Sequence, residues 1–205
     1  MGSDDADMND RLFELKEALD EDPANQQALR EVFNRFTHES ALIRANSVAI
    51  YGQAILHKPR LVSDEVIQTL RDLIKDEHQS VRSAAARTLG YTGKADPENI
   101  ALLADLALRA NARDSWLAIE ALGNIGGPRD IVVPKLIDLL QLEYVKDGDY
   151  SQRTRISAIN ALAEIGVDAN AAIPALRKLL DHSNVSVAKA ARGALSAISE
   201  AEKPN

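Results

Sequence analysis

Apolar residues recur along this chain in two alternating kinds of segment. The first kind reads Leu70-Arg71-Asp72-Leu73-Ile74, Leu103-Ala104-Asp105-Leu106-Ala107, Leu136-Ile137-Asp138-Leu139-Leu140 and Leu176-Arg177-Lys178-Leu179-Leu180, and Val32-Phe33-Asn34-Arg35-Phe36 begins the series. Each places apolar side chains at i, i+3 and i+4, the spacing of one helix face. The second kind is dense in alanine and ends in a leucine followed by a small residue. Val81 through Leu89-Gly90 is the clearest copy, and the step returns as Leu122-Gly123, Leu162-Ala163 and Leu195-Ser196. The alternation predicts helical hairpins, a first helix of the leucine type followed by a second of the alanine type.

The register between the two kinds is regular. From Leu70 to Leu89, Leu103 to Leu122, Leu176 to Leu195 and Val32 to Tyr51 the spacing is 19 residues, and from Leu136 to Leu162 it is 26. From a second helix to the next first helix it is 14, except between Tyr51 and Leu70, where it is 19. The unit is therefore 33 residues, repeated five times with two insertions. A period of that length means stacked modules that bury a shared core, so the expected fold is all-α, a right-handed α-α superhelix or solenoid of about five hairpins.

Boundary signals divide the chain further. Residues 1–8 are expected to be a disordered acidic tail, with Met1-Gly2-Ser3 reading as a cloning remnant, and 9–22 a capping helix whose stripe is Leu12, Leu15 and Leu19. The repeat domain is expected over 23–200, with repeats at 23–57, 63–93, 96–126, 128–166 and 168–200, and 201–205 as a tail. Asp22-Pro23, Asp96-Pro97, Gly127-Pro128 and Ser63-Asp64-Glu65 look like helix starts. Gly90, Gly93, Gly126 and Gly166 fall where second helices are expected to stop. Pro134 and Pro174, about a turn inside their helices, are expected to bend them.

Composition narrows the function classes. The chain has 205 residues and no cysteine, which excludes disulfides, thiolate catalysis and cysteine-bound zinc. No secretory signal pattern and no apolar run approaching about 20 residues is evident, so the expectation is a cytoplasmic protein without a membrane span. The formal net charge is -7. That whole imbalance sits in residues 1–22, where nine acids face two bases, and the repeat body is neutral. Phosphate backbones are bound by clustered Lys and Arg, so the distribution disfavours nucleic acid.

Val81-Arg82 through Leu89-Gly90, Trp116 followed by Ala118-Ile119-Glu120-Ala121-Leu122-Gly123-Asn124-Ile125-Gly126, and Ala171-Ala172-Ile173-Pro174-Ala175-Leu176 resemble HEAT repeats, specifically the short alanine-rich PBS lyase HEAT-like subclass. The resemblance covers about residues 23–200. It implies an armadillo-like helical solenoid whose second helices line a concave face. The family spans scaffolds, adaptors and, in one branch, bilin chromophore lyases, so resemblance alone does not fix chemistry. It also implies a ladder of loop acids and arginines. Asp76 precedes Arg82, and Asp149 precedes Arg155, by six residues; Arg44 fits the arginine position with His38 at that of the acid, while Ser115 and Ala188 interrupt the series.

At about 100° per residue, positions two before and two after the core leucine face away from the first helices. These columns read Ala49, Arg87, Glu120, Asn160, Gly193 and Gln53, Tyr91, Asn124, Glu164, Ala197. Their mixed polarity suits a protein or peptide. Trp116, the only tryptophan, stands where other repeats carry Ala45, Ser83, Ile156 and Lys189, and either anchors a partner or plugs a gap between repeats. The insertion within 143–151 carries Tyr144 and Tyr150 around an Asp-Gly turn, a second candidate contact. His38, His57, His78 and His182 are isolated, and no metal, cofactor or catalytic constellation is recognisable. The expected function is a non-enzymatic interaction scaffold contacting a partner through Arg87, Tyr91, Trp116, Glu120, Asn124, Asn160, Glu164, Tyr144 and Tyr150. The oligomeric state is left open. Alternatives are a phycobilin lyase-like or phycobiliprotein-handling factor and a helical-repeat DNA glycosylase-like protein.

Overall fold

The two kinds of segment fold as alternating helices in the computed structural model, which describes residues 3–56, 58, 61–109, 112–125, 129–141 and 148–200. The elements are α1 (Ser3–Glu21), α2 (Gln26–Phe33), α3 (Ala41–Ile55), α4 (Asp64–Leu73), α5 (Gln79–Tyr91), α6 (Pro97–Arg109), α7 (Ala112–Asn124), α8 (Arg129–Leu140), α9 (Gly148–Ile165), α10 (Ile173–Lys178) and α11 (Val185–Glu200). A 3-10 segment, Gly166–Ala172, leads into α10. Among the described residues there is no strand, and the fold is that of an all-α solenoid built from helical hairpins. Two compact units divide the chain, Met1–Gly93 and Lys94–Asn205.

In unit 1, α1 packs on α2 and α3, and the second helices α3 and α5 pack on each other. Leu12, Leu15 and Leu19 are buried, as the stripe predicted. The helix starts earlier than expected: residues 3–8, read as a disordered tail, form its first turns. Acidic residues at a helix start favour the positive end of its dipole, and Met8 is held at its Sδ by the Arg35 Nε donor at 3.0 Å. The start of α2 also differs from the Asp22-Pro23 reading. Asn25 is the cap, accepting from the Ala28 N–H at 3.0 Å, while Asp22 Oδ1 accepts from the Ala24 N–H in the preceding turn.

A cluster of rings closes this hairpin. Phe36 is fully buried and stacks edge-to-face on Phe33 at 5.2 Å and on Tyr51 at 5.5 Å, the arrangement that aromatic quadrupoles favour. Burial raises the pKa of the Tyr51 phenol. Ser63 caps α4 as expected, its side chain accepting from the Val66 N–H. Gly90 stays inside α5, and it is Gly93, at φ +62°, that takes the left-handed conformation after the helix end.

In unit 2 the second helices α7, α9 and α11 pack in succession, and so do the first helices α6, α8 and α10. Leu103, Leu122, Leu136, Leu162 and Leu176 are fully buried between the layers, each contributing roughly 2 kcal/mol by removal from water. Asp96 caps α6 through the Asn99 N–H at 2.9 Å. The two prolines part company. Pro134 lies inside α8, whereas Pro174 falls in the first turn of α10, after a kink at Ala169. A first-turn proline has no intrahelical N–H to lose, so this one begins a helix rather than bending it. The stretch 152–178 is long and apolar enough to suggest a span. It is broken by Gly166 at φ +70° and by Ala169, and Ala158, Ile159, Leu162, Ala169, Ala172 and Leu176 bury into unit 2.

Small residues set how closely second helices approach. A methyl group at Gly52 would lie 2.4 Å from Thr88 Oγ1 and 3.2 Å from its Cβ. The buried Thr88 hydroxyl donates to the Val48 carbonyl across α3 and α5 at 3.1 Å. At the equivalent place in unit 2 a methyl at Gly123 would meet Ala161 Cβ at 3.8 Å, an ordinary contact.

Candidate functional site

The outward positions of the second helices reach solvent. In unit 1, Ala49, Gln53 and Arg87 are exposed and Tyr91 is half-buried. In unit 2, Asn124, Asn160, Glu164, Gly193 and Ala197 are exposed and Glu120 is partly so. Trp116, one turn before Glu120 on α7, keeps 47% of its surface exposed. The ring is therefore not enclosed between repeats. Glu120 adds a feature that no sequence pattern signals: its Oε2 is buried without a hydrogen-bond partner. Helices α7 and α9 are neighbours, so Trp116, Glu120, Asn124, Asn160 and Glu164 belong to one face of unit 2. Arg87 and Tyr91 lie on α5 in unit 1. Tyr144 is outside the described residues, and Tyr150 is described only as backbone. Helix α9 already begins at Gly148, inside the segment 143–151 expected as an insertion.

The arginine positions do two jobs. Within a repeat, Arg44 Nη1 donates to the His38 and Glu39 carbonyls at 2.8 Å, and Arg82 Nη1 donates to the Asp76 and Glu77 carbonyls at the same distance. A six-residue spacing thus needs only a carbonyl, which is why histidine can stand at position 38. Between repeats, Arg44 Nε and Nη2 grip the Asp76 carboxylate at 3.0 and 3.1 Å, both side chains only about a tenth exposed. Asp76 Oδ1 also accepts from the His78 N–H at 2.8 Å. In unit 2 the rung is Arg155 Nη1 against His182 Nε2 at 3.0 Å, and His182 Nδ1 accepts from the Asn184 N–H at 3.0 Å. Arg155 further donates to the Leu140 carbonyl and Gln152. These arginines hold loops to helices and repeats to each other, which is a structural role.

The HEAT repeats family model matches residues 29–123, and the PBS lyase HEAT-like repeat model matches 154–182. The chain is a HEAT-repeat protein of the PBS lyase HEAT-like type. No curated protein matches it. Among solved structures, a designed armadillo repeat protein in complex with the peptide (KR)4 is similar at TM-score 0.65 and 19% identity, over 96% of this chain and 95% of that one. An engineered protein is similar at TM-score 0.56 and 23% identity, over 90% of each chain. These likenesses show the fold alone.

One feature of this HEAT-repeat protein escaped the sequence reading. A groove of about 550 Å³ opens in unit 1 between α2 and the start of α4, lined by Arg30, Phe33, Tyr51, Leu61, Glu65 and Val66 among others. Its signal was the 19-residue step from Tyr51 to Leu70 in place of 14, which reads as a mere connector until the helices are placed.

Proposed function

We propose that this HEAT-repeat protein is an interaction scaffold that binds a protein or peptide partner on the exposed side of its second helices. The observation that carries the reading is Trp116, a half-exposed ring on α7 at a position where other repeats have Ala45, Ser83, Ile156 or Lys189. Such a ring is costly to leave in water and is of a residue type enriched among binding hot spots. The flanking Asn124, Asn160 and Glu164 supply polar groups for a rim. The designed armadillo repeat protein of similar fold was solved with a peptide, which supports peptide binding as a use of this architecture. A crosslinking pull-down from the native host tests it. Trp116→Ala should reduce partner capture at least tenfold with helical circular dichroism unchanged; equal capture by both proteins would remove the assignment.

A second reading, a phycobiliprotein-handling factor, is favoured by the PBS lyase HEAT-like match over 154–182. Incubation with a free bilin separates the two: a shifted, intensified visible band supports bilin handling, and an unchanged spectrum supports the scaffold.

A further inference from the structure

Trp116 and Glu120 are four residues apart on α7 and so stand one above the other on the same face. We infer that this face takes a lysine or arginine side chain from an extended segment of the partner, a reading that rests on the scaffold function proposed above. The half-exposed indole offers a π face, which attracts a cation within about 6 Å of its centre. Glu120 is a carboxylate with Oε2 buried and no donor from the protein. The carboxylate as a whole is partly exposed, and a cation arriving beside it supplies the charge-assisted partner that the protein does not. The surroundings agree in sign. Across 116–124 and 156–164 the neighbouring helices α7 and α9 carry Glu120 and Glu164 and no lysine or arginine. Asn124 and Asn160, both exposed, each offer an amide that can donate and accept, the match for the peptide groups of an extended chain. An acidic segment or a phosphate backbone would meet repulsion from the two carboxylates.

The single tryptophan makes the test local, because fluorescence excited beyond the tyrosine absorption band reads Trp116 alone. The octapeptides (KS)4, (QS)4 and (ES)4 are titrated at low salt. The expected result is a saturable fluorescence change with (KS)4, little with (QS)4, and none with (ES)4. Glu120→Gln should weaken (KS)4 at least tenfold with circular dichroism unchanged. Labelled (KS)4 followed by anisotropy should show a similar loss in Trp116→Ala. Residues 1–22 are acidic and attract any basic peptide, but neither substitution touches them. Binding of (KS)4 that is indifferent to both substitutions therefore places the peptide elsewhere and overturns the inference. So does a fluorescence response to (QS)4 or (ES)4 as strong as that to (KS)4, which would leave the scaffold reading standing with a different partner chemistry. Absence of any (KS)4 response overturns the inference as well, whereas the scaffold reading falls only if capture of the native partner ignores Trp116→Ala.

Discussion

In unit 1 the first helices α2 and α4 stand apart across a groove, while in unit 2 the first helices α6, α8 and α10 pack one on the next. The second helices behave in the opposite way. Unit 1 locks α3 onto α5 with Gly52 fitted against Thr88 and a bidentate Arg44–Asp76 pair. Unit 2 joins α7 to α9 with looser small-residue contact, and ties the loop before α11 with an imidazole in place of the carboxylate. A repeat can therefore be tight on one layer and open on the other, because each layer is set by its own short list of contacts. The open first-helix layer of unit 1 accompanies a connection five residues longer in sequence; the tight second-helix layer is held by the Gly52–Thr88 fit and the Arg44–Asp76 pair.

The largest expected effect comes from removing the carboxylate of the unit 1 rung. Asp76→Ala strips a nearly buried guanidinium of its partner and should cost about 3 kcal/mol in urea unfolding. His182→Ala removes the imidazole that accepts from the Asn184 N–H and should cost about 1 kcal/mol. Equal losses would mean that the two rungs are equivalent after all. Next, Gly52→Ala should cost about 1–3 kcal/mol by overpacking against Thr88, whereas Gly123→Ala, with room for its methyl group, should stabilise by about 0.5–1 kcal/mol through helix propensity. The pair is checked by thermal melts of both variants, and a destabilised Gly123→Ala would show that the second-helix contact is as close in unit 2 as in unit 1.

A smaller effect sharpens the same comparison. The neutral tautomer of His182 that accepts from the Asn184 N–H carries its proton on Nε2, where it faces the donor of Arg155. Aspartate would accept from both, as Asp76 does, so His182→Asp should raise stability by about 1 kcal/mol; an unchanged melting point would contradict that reading. The smallest expected effect is confined to the cap. Arg11 forks onto Glu31 at 2.8 Å from both Nε and Nη2, and that hydrogen bonding holds the Glu31 pKa down to about 2 from 4.5. A carboxylate with a depressed folded pKa contributes stability above its unfolded value and loses it as pH falls through the folded one. The protection of α1 amides, relative to their intrinsic exchange at each pH, should therefore fall between about pH 4.5 and 2. The side chain is 29% exposed, so solvent screens much of the effect.

Much of this architecture was legible in the sequence because the period is short and the apolar stripes are dense. Leu12, Leu15 and Leu19, the Leu70 and Leu89 pair and their downstream copies Leu103, Leu122, Leu136, Leu162 and Leu176 are buried as the spacing requires, and Leu195 in the last helix is partly buried. Helix ends were harder, since Asp22, Asn25 and Pro23 lie within four residues and any local rule could choose among them. Pro134 and Pro174 look alike in sequence and differ in the structure because a kink at Ala169 resets the second helix start. The arginine ladder was visible as a spacing, but its partner across repeats was not, because Arg44 and Asp76 are 32 residues apart. For the site, the outward columns follow from helical geometry, yet the exposure of Trp116 and the orphaned oxygen of Glu120 depend on packing that no periodicity encodes.

The groove of unit 1 and the α7–α9 face of unit 2 are rival places for a partner, and hydroxyl-radical footprinting of the full chain with and without its captured partner decides between them. Protection is expected at Trp116, with Phe33 and Leu61 unchanged. Protection of Phe33 and Leu61 with Trp116 left reactive would contradict the proposed site.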